Sequence, residues 1–307
     1  MTNHPINPFT LDHDDDLIIY RELYPAKSSE SRLMSYQRSI RSLPLPPALW
    51  QAFQKACNAD ASSQKLAEII KADPVLAAAI LRTVNSASLH IGPSITDVGR
   101  AIAQLGTSMT RSIVAKHAFT ASTPQGKAYD VKMLWKHGMA VSALAEIVAE
   151  YIPNCSREEA GTLGLFHDIG RMSFNLLTEY MQPATLNPDQ GHLMYEVQRF
   201  GCTHVAMGEL LGKQWQLPDK IIRGMIYHHH PAYADPETIP QDIRAEVLAV
   251  YIADLLTIHL KLSAGDIGIS FPKAAYADML QSNITLHDIL QHKRIASELT
   301  RIEAVEF

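Results

Sequence analysis

The chain has 307 residues, 47% of them hydrophobic, and a formal net charge of −5. That is enough apolar material for one large domain or two smaller ones, and the acidic balance argues against a sequence-independent nucleic-acid binder, though not against a local basic patch. Cys57, Cys155 and Cys202 form no CxxC pair, the N-terminus has no leader pattern and no apolar run could span a bilayer, so the expectation is a cytoplasmic protein with reduced thiols and no membrane contact.

Residues 1–42 read as an N-terminal extension, with a solvated acidic run at Asp12-His13-Asp14-Asp15-Asp16 and helical potential around Tyr36–Ile40. Leu43-Pro44-Leu45-Pro46-Pro47 is a rigid lead-in, because proline fixes φ and cannot donate. From Ala48 the pattern is helical. Trp50, Phe53 and Cys57 share one face, and Leu66, Ile69 and Ile70 share another. Asp73-Pro74 predicts a capped helix to about Asn85, and Gly92-Pro93 a break. Thr96 is then expected to cap a helix ending at Gly106, and Thr107 to cap the next one, to about Phe119. Short helices without strand-like alternation imply an all-α subdomain over residues 43–122, with no catalytic constellation in it.

Ser122-Thr123-Pro124-Gln125-Gly126 is rich in helix breakers and marks a boundary; residues 123–307 form the second helical subdomain. It opens with a long helix from about Val131 to Tyr151. Ser156-Arg157-Glu158-Glu159 has capping-box spacing and starts the helix that runs into His167-Asp168. Further helices are expected at Tyr195–Phe200, His204–Trp215 and from Pro218 to Tyr227, where His228-His229-His230-Pro231 follows. An amphipathic helix at about Ile243–Leu260 and a surface helix at about Leu286–Leu299 complete the chain.

His167-Asp168 lies in an apolar run, Gly164-Leu165-Phe166-His167-Asp168-Ile169-Gly170-Arg171. A charge buried there needs a partner. The bland alternative is an aspartate capping a local turn and a histidine satisfied by a backbone carbonyl; the other is a divalent metal. Five histidines and two aspartates are set into apolar helical surroundings: His137, His167, Asp168, His204, His228, His229 and Asp254. Any one of them alone is more often a core polar residue than a ligand. Together, on separate helix ends and faces, they are the set from which a helical bundle builds a metal site. Two carboxylates and five imidazoles suffice for two ions sharing one carboxylate. Nitrogen and oxygen donors of this kind suit Fe, Mn, Ni or Zn better than Mg or Ca. Two such ions can generate hydroxide near neutral pH and clamp phosphate oxygens, and Arg171 could stabilise charge developing on a phosphate.

The order H…HD…H…HH…D resembles the HD superfamily of metal-dependent phosphohydrolases. Asp73-Pro74, Leu81 to Asn85-Ser86-Ala87, Ala101-Ile102 through Leu105-Gly106, Leu134-Trp135-Lys136-His137 and Tyr227-His228-His229 before Pro231 resemble, more narrowly, the HDOD domain, the HD-related output domain of bacterial signalling proteins. The resemblance implies an all-α HDOD fold. It also implies one metal at His137, His167, Asp168 and Asp254 and a second at His204, His228 and His229, with Asp168 bridging. It leaves two functions open: a signal-transduction module whose partners are other signalling proteins, or a phosphohydrolase acting on a nucleotide or other phosphoester, with Asp168 and Arg171 as its catalytic residues and a metal-bound hydroxide as nucleophile. The chain departs from the catalytic relatives in carrying Arg171 where lysine is common, and His230-Pro231-Ala232-Tyr233 where the cyclic-di-nucleotide hydrolases have Gly-Tyr-Pro. Arginine and lysine are not equivalent there, one being a planar fork and the other a point charge.

Overall fold

Helices begin and end largely where the chain supplies caps and breakers. The computed structural model describes residues 8–9, 25–41, 48–70, 74–86, 89, 95–120, 126, 128–176, 191–215, 217–262 and 270–303. Among these residues every regular element is helical, so the chain is all-α. The acidic run at Asp12–Asp16, the expected Asp73 cap and the Gly92-Pro93 break lie outside the described residues.

The chain packs as two units: residues 1–42 with 124–295, and residues 43–123 with 296–307. The smaller unit contains α2 (Ala48–Asn58), α3 (Ser63–Ile70), α4 (Pro74–Val84) and α5 (Val98–Thr120); α1 (Glu30–Arg41) belongs to the larger one. Trp50, Phe53, Leu66, Ile70, Leu76, Ile80 and Val84 are buried in the core of the smaller unit. Asn85 ties the end of α4 to Ile95. Its side chain accepts from the Ile95 amide at 2.7 Å and donates to the Leu81 and Ile95 carbonyls at 2.9 and 2.7 Å. The expected cap at Thr96 is corrected by one residue: Asp97 Oδ1 accepts from the Arg100 amide at 2.9 Å, because its carboxylate reaches the first turn of α5. Gly106 interrupts α5 with φ +81°, a left-handed backbone that favours glycine.

In the larger unit α6 (Val131–Val148) and α7 (Arg157–Phe166) pack together and both meet α13 (Arg244–His259). Asp130 caps α6, and a 3-10 turn at Ala149–Tyr151 extends it. The α6–α7 approach is close: a Cβ on Gly138 would lie 2.7 Å from the Leu165 carbonyl oxygen. Only half of the expected capping box forms at α7. Ser156 accepts from the Glu159 amide, but the Ser156 amide donates to Glu246 and the Glu159 carboxylate is engaged by Lys220. Nor is α13 amphipathic. Every residue from Glu246 to Thr257 is buried, so Asp254 has no polar face to share.

Around these helices lie α8 (Gly170–Ser173), α9 (Gly191–Phe200), α10 (His204–Gln214), α11 (Asp219–Tyr227) and α12 (His230–Tyr233). Helix α1, on the segment read as an extension, packs on α10, with the Ser29 amide donating to the Gly201 carbonyl at 2.7 Å. The expected single C-terminal helix is two pieces, α14 (Leu286–Leu290) and α15 (Ile295–Glu303), and Leu286, Ile289, Ile295 and Ile302 are buried.

Candidate metal centre

Seven polar side chains meet inside the larger unit. His137 comes from the middle of α6 and Asp254 from α13, while His167 and Asp168 occupy the turn after α7. His204 is the first residue of α10, and His228 and His229 join α11 to α12. All seven are buried. They form two groups whose ligand atoms lie within 4.8 Å of one another: Asp168, His204, His228 and His229 in one, and His137, His167 and Asp254 in the other.

Asp168 stands between the groups, one oxygen toward each. Oδ1 lies 3.1 Å from His204 Nε2 and 3.7 Å from His228 Nε2. Oδ2 lies 3.6 Å from His167 Nε2 and 3.8 Å from His137 Nε2, and the His137 nitrogen is also 3.2 Å from Asp254 Oδ1.

The outer nitrogens of the rings explain why the inner ones converge. His167 Nδ1 donates to the Gly164 carbonyl at 2.8 Å, and His228 Nδ1 to the Met225 carbonyl at 2.6 Å. Both carbonyls belong to last helical turns, where they have no partner within the helix. The same local device, a histidine three residues past an orphan carbonyl, thus fixes two rings with Nδ1 protonated and Nε2 turned inward. His137 Nδ1 faces the Leu262 carbonyl at 3.3 Å, and His204 Nδ1 lies 2.8 Å from Glu196 Oε2. Such partners are the usual way a ligating histidine is held in one tautomer.

With Nδ1 as the donor, the Nε2 atoms of His204 and His228 present lone pairs to each other at 3.2 Å, and His229 Nε2 lies 3.0 Å from that of His204. Ligands bound at about 2.0–2.1 Å to a common ion are separated by roughly 3.0–3.4 Å. Asp168 Oδ1 and Oδ2, Asp254 Oδ1 and His167 Nε2 are buried without a hydrogen bond. Carboxylate oxygens and imidazole lone pairs turned toward one another in a dry interior repel unless a cation lies among them. The donor set therefore fits a transition metal.

The protonation states agree. Burial lowers His167 below its ordinary value. Burial, reinforced by His228 and His204, holds His229 well below it, leaving the neutral ligating form. Burial raises the Asp168 carboxyl, but Arg171, His167 and His204 outweigh it and hold it well below the usual carboxylate range. Burial likewise raises the Asp254 carboxyl, and the neighbouring His137, 3.2 Å away, outweighs it.

Arg171 is 2% exposed, with Nη1 3.0 Å from Asp168 Oδ2 and Nε 3.5 Å from Glu196 Oε1. Gly170, just before it, lets α8 press on α10; a Cβ there would lie 2.0 Å from the His204 carbonyl oxygen. The carbonyl bond of the bland alternative for His167 is present at Nδ1, and Nε2 is turned inward among the other ligand atoms. Glu196 and His192 are not legible as site residues in the sequence. Both lie on α9, four residues apart, and the His192 ring centroid is 5.1 Å from that of His229. The available signal is that Leu193, Glu196 and Phe200 form one helical stripe, which puts a carboxylate on the apolar face.

A helical core that gathers a histidine–aspartate pair and its partners from separate helices defines an HD-type protein. The profile of the HDOD domain matches residues 43–231, and the chain belongs to the HDOD family. The fold is similar to that of an HDOD domain protein with unknown function from Geobacter sulfurreducens, at 21% identity and a TM-score of 0.63, covering 90% of this chain and 97% of that one. It is also similar to two proteins of Shewanella amazonensis SB2B. One, named "putative phosphohydrolase", has 18% identity and a TM-score of 0.59. The other, named "putative metal-dependent phosphohydrolase", has 15% identity and a TM-score of 0.55. Each comparison covers 90% of this chain and 98% of that one. An uncharacterized protein of Treponema pallidum is 22% identical over 211 residues, 66% of this chain and 40% of that protein's length. Among the described residues no helix is long and apolar enough to cross a membrane.

Proposed function

We propose that this chain is a bacterial HDOD output module of signal transduction, built around two transition-metal ions and working in the cytoplasm through contacts with other signalling proteins. The observation that carries the metal reading is Asp168, whose two buried oxygens face two separate groups of ligands. His137, His167, Asp254 and Asp168 Oδ2 would hold one ion; His204, His228, His229 and Asp168 Oδ1 would hold the other. Nitrogen and oxygen donors in this ratio favour Fe, Mn, Ni or Zn. Bound there, the ions would supply Lewis acidity and lower the pKa of bound water. The chain's own part is orientation. The carbonyls of Gly164 and Met225 keep two imidazoles in the ligating tautomer, and Arg171 compensates the charge of the bridging carboxylate.

The test is metal content per chain by mass spectrometry, on protein purified without chelators under low oxygen. Two ions per chain are expected. His229→Ala should lose one and Asp254→Ala the other. No stoichiometric metal in the parent sinks the reading and leaves the histidines as core residues.

Phosphoester hydrolysis is the second reading. It is favoured by a guanidinium, Arg171, 3.0 Å from Oδ2 of the carboxylate that would bridge the ions. A screen of nucleotides and phosphodiesters with the metal-loaded chain separates the two readings. Turnover abolished by Asp168→Asn supports hydrolysis. Absence of turnover at full metal occupancy supports the output module alone.

A further inference from the structure

Glu196 belongs to neither ligand group, yet it is fully buried and touches both His204 and Arg171. Its Oε2 accepts from the His204 backbone amide at 2.7 Å and lies 2.8 Å from His204 Nδ1. Its Oε1 lies 2.9 Å from the same Nδ1, 3.5 Å from Arg171 Nε and 3.4 Å from the Tyr129 hydroxyl. Arg171 in turn meets the bridging Asp168 at Oδ2. One carboxylate therefore grips His204 twice, at backbone and ring, and reaches Asp168 through one guanidinium.

From this geometry we infer that Glu196 is the positioning residue of the metal centre, setting the orientation of His204 directly and that of Asp168 through Arg171. The inference rests on the metal reading above. His204 is the first residue of α10, so its amide has no acceptor within the helix, and the Glu196 carboxylate supplies one. The same bond fixes where the imidazole begins. With Nδ1 held by Glu196 the ring has a single inward atom, Nε2, placed 3.1 Å from Asp168 Oδ1 and 3.0 Å from His229 Nε2. The Nδ1 atoms of His137, His167 and His228 face main-chain carbonyls instead. The two groups should therefore respond differently to the loss of Glu196. The group containing His204 loses a side-chain support, and the group containing His137, His167 and Asp254 keeps its own.

The experiment uses the full chain, stripped with a chelator and reloaded with Co(II) alone. Affinities are read by competition with a chromophoric chelator, and the visible cobalt absorption reports each ion's ligand field. Glu196→Ala is expected to weaken the ion of the His204 group by about 10–100-fold, the range for losing a partner of a ligating histidine, and the other ion much less, since Glu196 reaches it only through Arg171 and Asp168 Oδ2. Glu196→Gln keeps a carbonyl oxygen for the His204 donors, so it should recover most of that affinity while still shifting the cobalt absorption through the changed contact with Arg171. A purely structural role would lower the melting temperature without altering the ratio of the two affinities. Two ions bound by both variants with the parent's affinities and spectrum overturn the inference. If Glu196→Ala does not fold, the Glu196→Gln spectrum and affinities decide by the same criterion. A parent chain that binds no cobalt overturns the metal reading itself, and the two failures are thereby distinguished.

Discussion

Two opposite ways of burying polar groups can be compared across the two packing units. In the smaller unit a buried hydroxyl is satisfied within its own helix: Thr83 Oγ1 donates to the Ala79 carbonyl at 2.9 Å, and Thr110 Oγ1 to the Gly106 carbonyl at 2.8 Å. Each bond closes over four residues and points at nothing further. In the larger unit His137, His167, Asp168, His204, His228, His229 and Asp254 turn their acceptor atoms toward common points. Local closure is what a stable core needs, since an unmade bond at a buried polar atom costs about 1–3 kcal/mol. Convergence of acceptors without donors goes against stability unless a cation is bound. Buried polarity by itself therefore says little about function; where it points says a great deal.

That contrast can be tested by substitutions on either side of it. Asp168→Ala should have the largest effect. It removes the acceptor facing both groups and leaves the Arg171 guanidinium buried beside the gap, which typically costs about 3–5 kcal/mol; elemental analysis should find both ions gone and thermal melts a sharp loss of stability. Phe53→Ala, in the smaller unit's core, should cost a similar 3–5 kcal/mol through its cavity. Metal content of the folded fraction should not change, and loss of metal there would break the contrast.

The response to pH sharpens it. His167 and His229 are held below the ordinary histidine value of 6.5 by burial, so the neutral ligating form persists as pH falls through 6.5. Metal release followed by a chromophoric chelator should have its midpoint below pH 6.5. In the metal-free protein the unfolded chain takes up those two protons first, so their contribution to stability is present above 6.5 and is lost as pH falls below it. A release midpoint at or above 6.5 would show that these rings are not protected.

Gly170→Ala places a Cβ against the His204 carbonyl and should cost about 1–3 kcal/mol by forcing α8 and α10 apart, with partial loss of metal because His204 moves. Ser156→Ala should be the mildest. It removes the α7 cap, worth about 1 kcal/mol, and a chemical melt should register that difference without a change in metal content.

Residue chemistry and spacing alone determined the helical class, most helix limits and the motif residues of the family. Each is a local property: an apolar repeat, a cap such as Ser156, a breaker such as Gly106. The seven polar residues could be picked out for the same reason, as wrong-type side chains on apolar faces. Where reading along the chain failed, a distant residue had taken a local partner's place. Glu246 captured the Ser156 amide that a capping box would have given to Glu159, and neighbours on every side turned α13 from amphipathic to wholly buried. The division of the seven residues into two groups, the face each oxygen of Asp168 presents and the grip of Glu196 on His204 were decided only in three dimensions. They join positions on α6, α9, α10 and α13, in the turn after α7 and between α11 and α12, and no periodicity within a single helix carries information about which atoms of another helix it will meet.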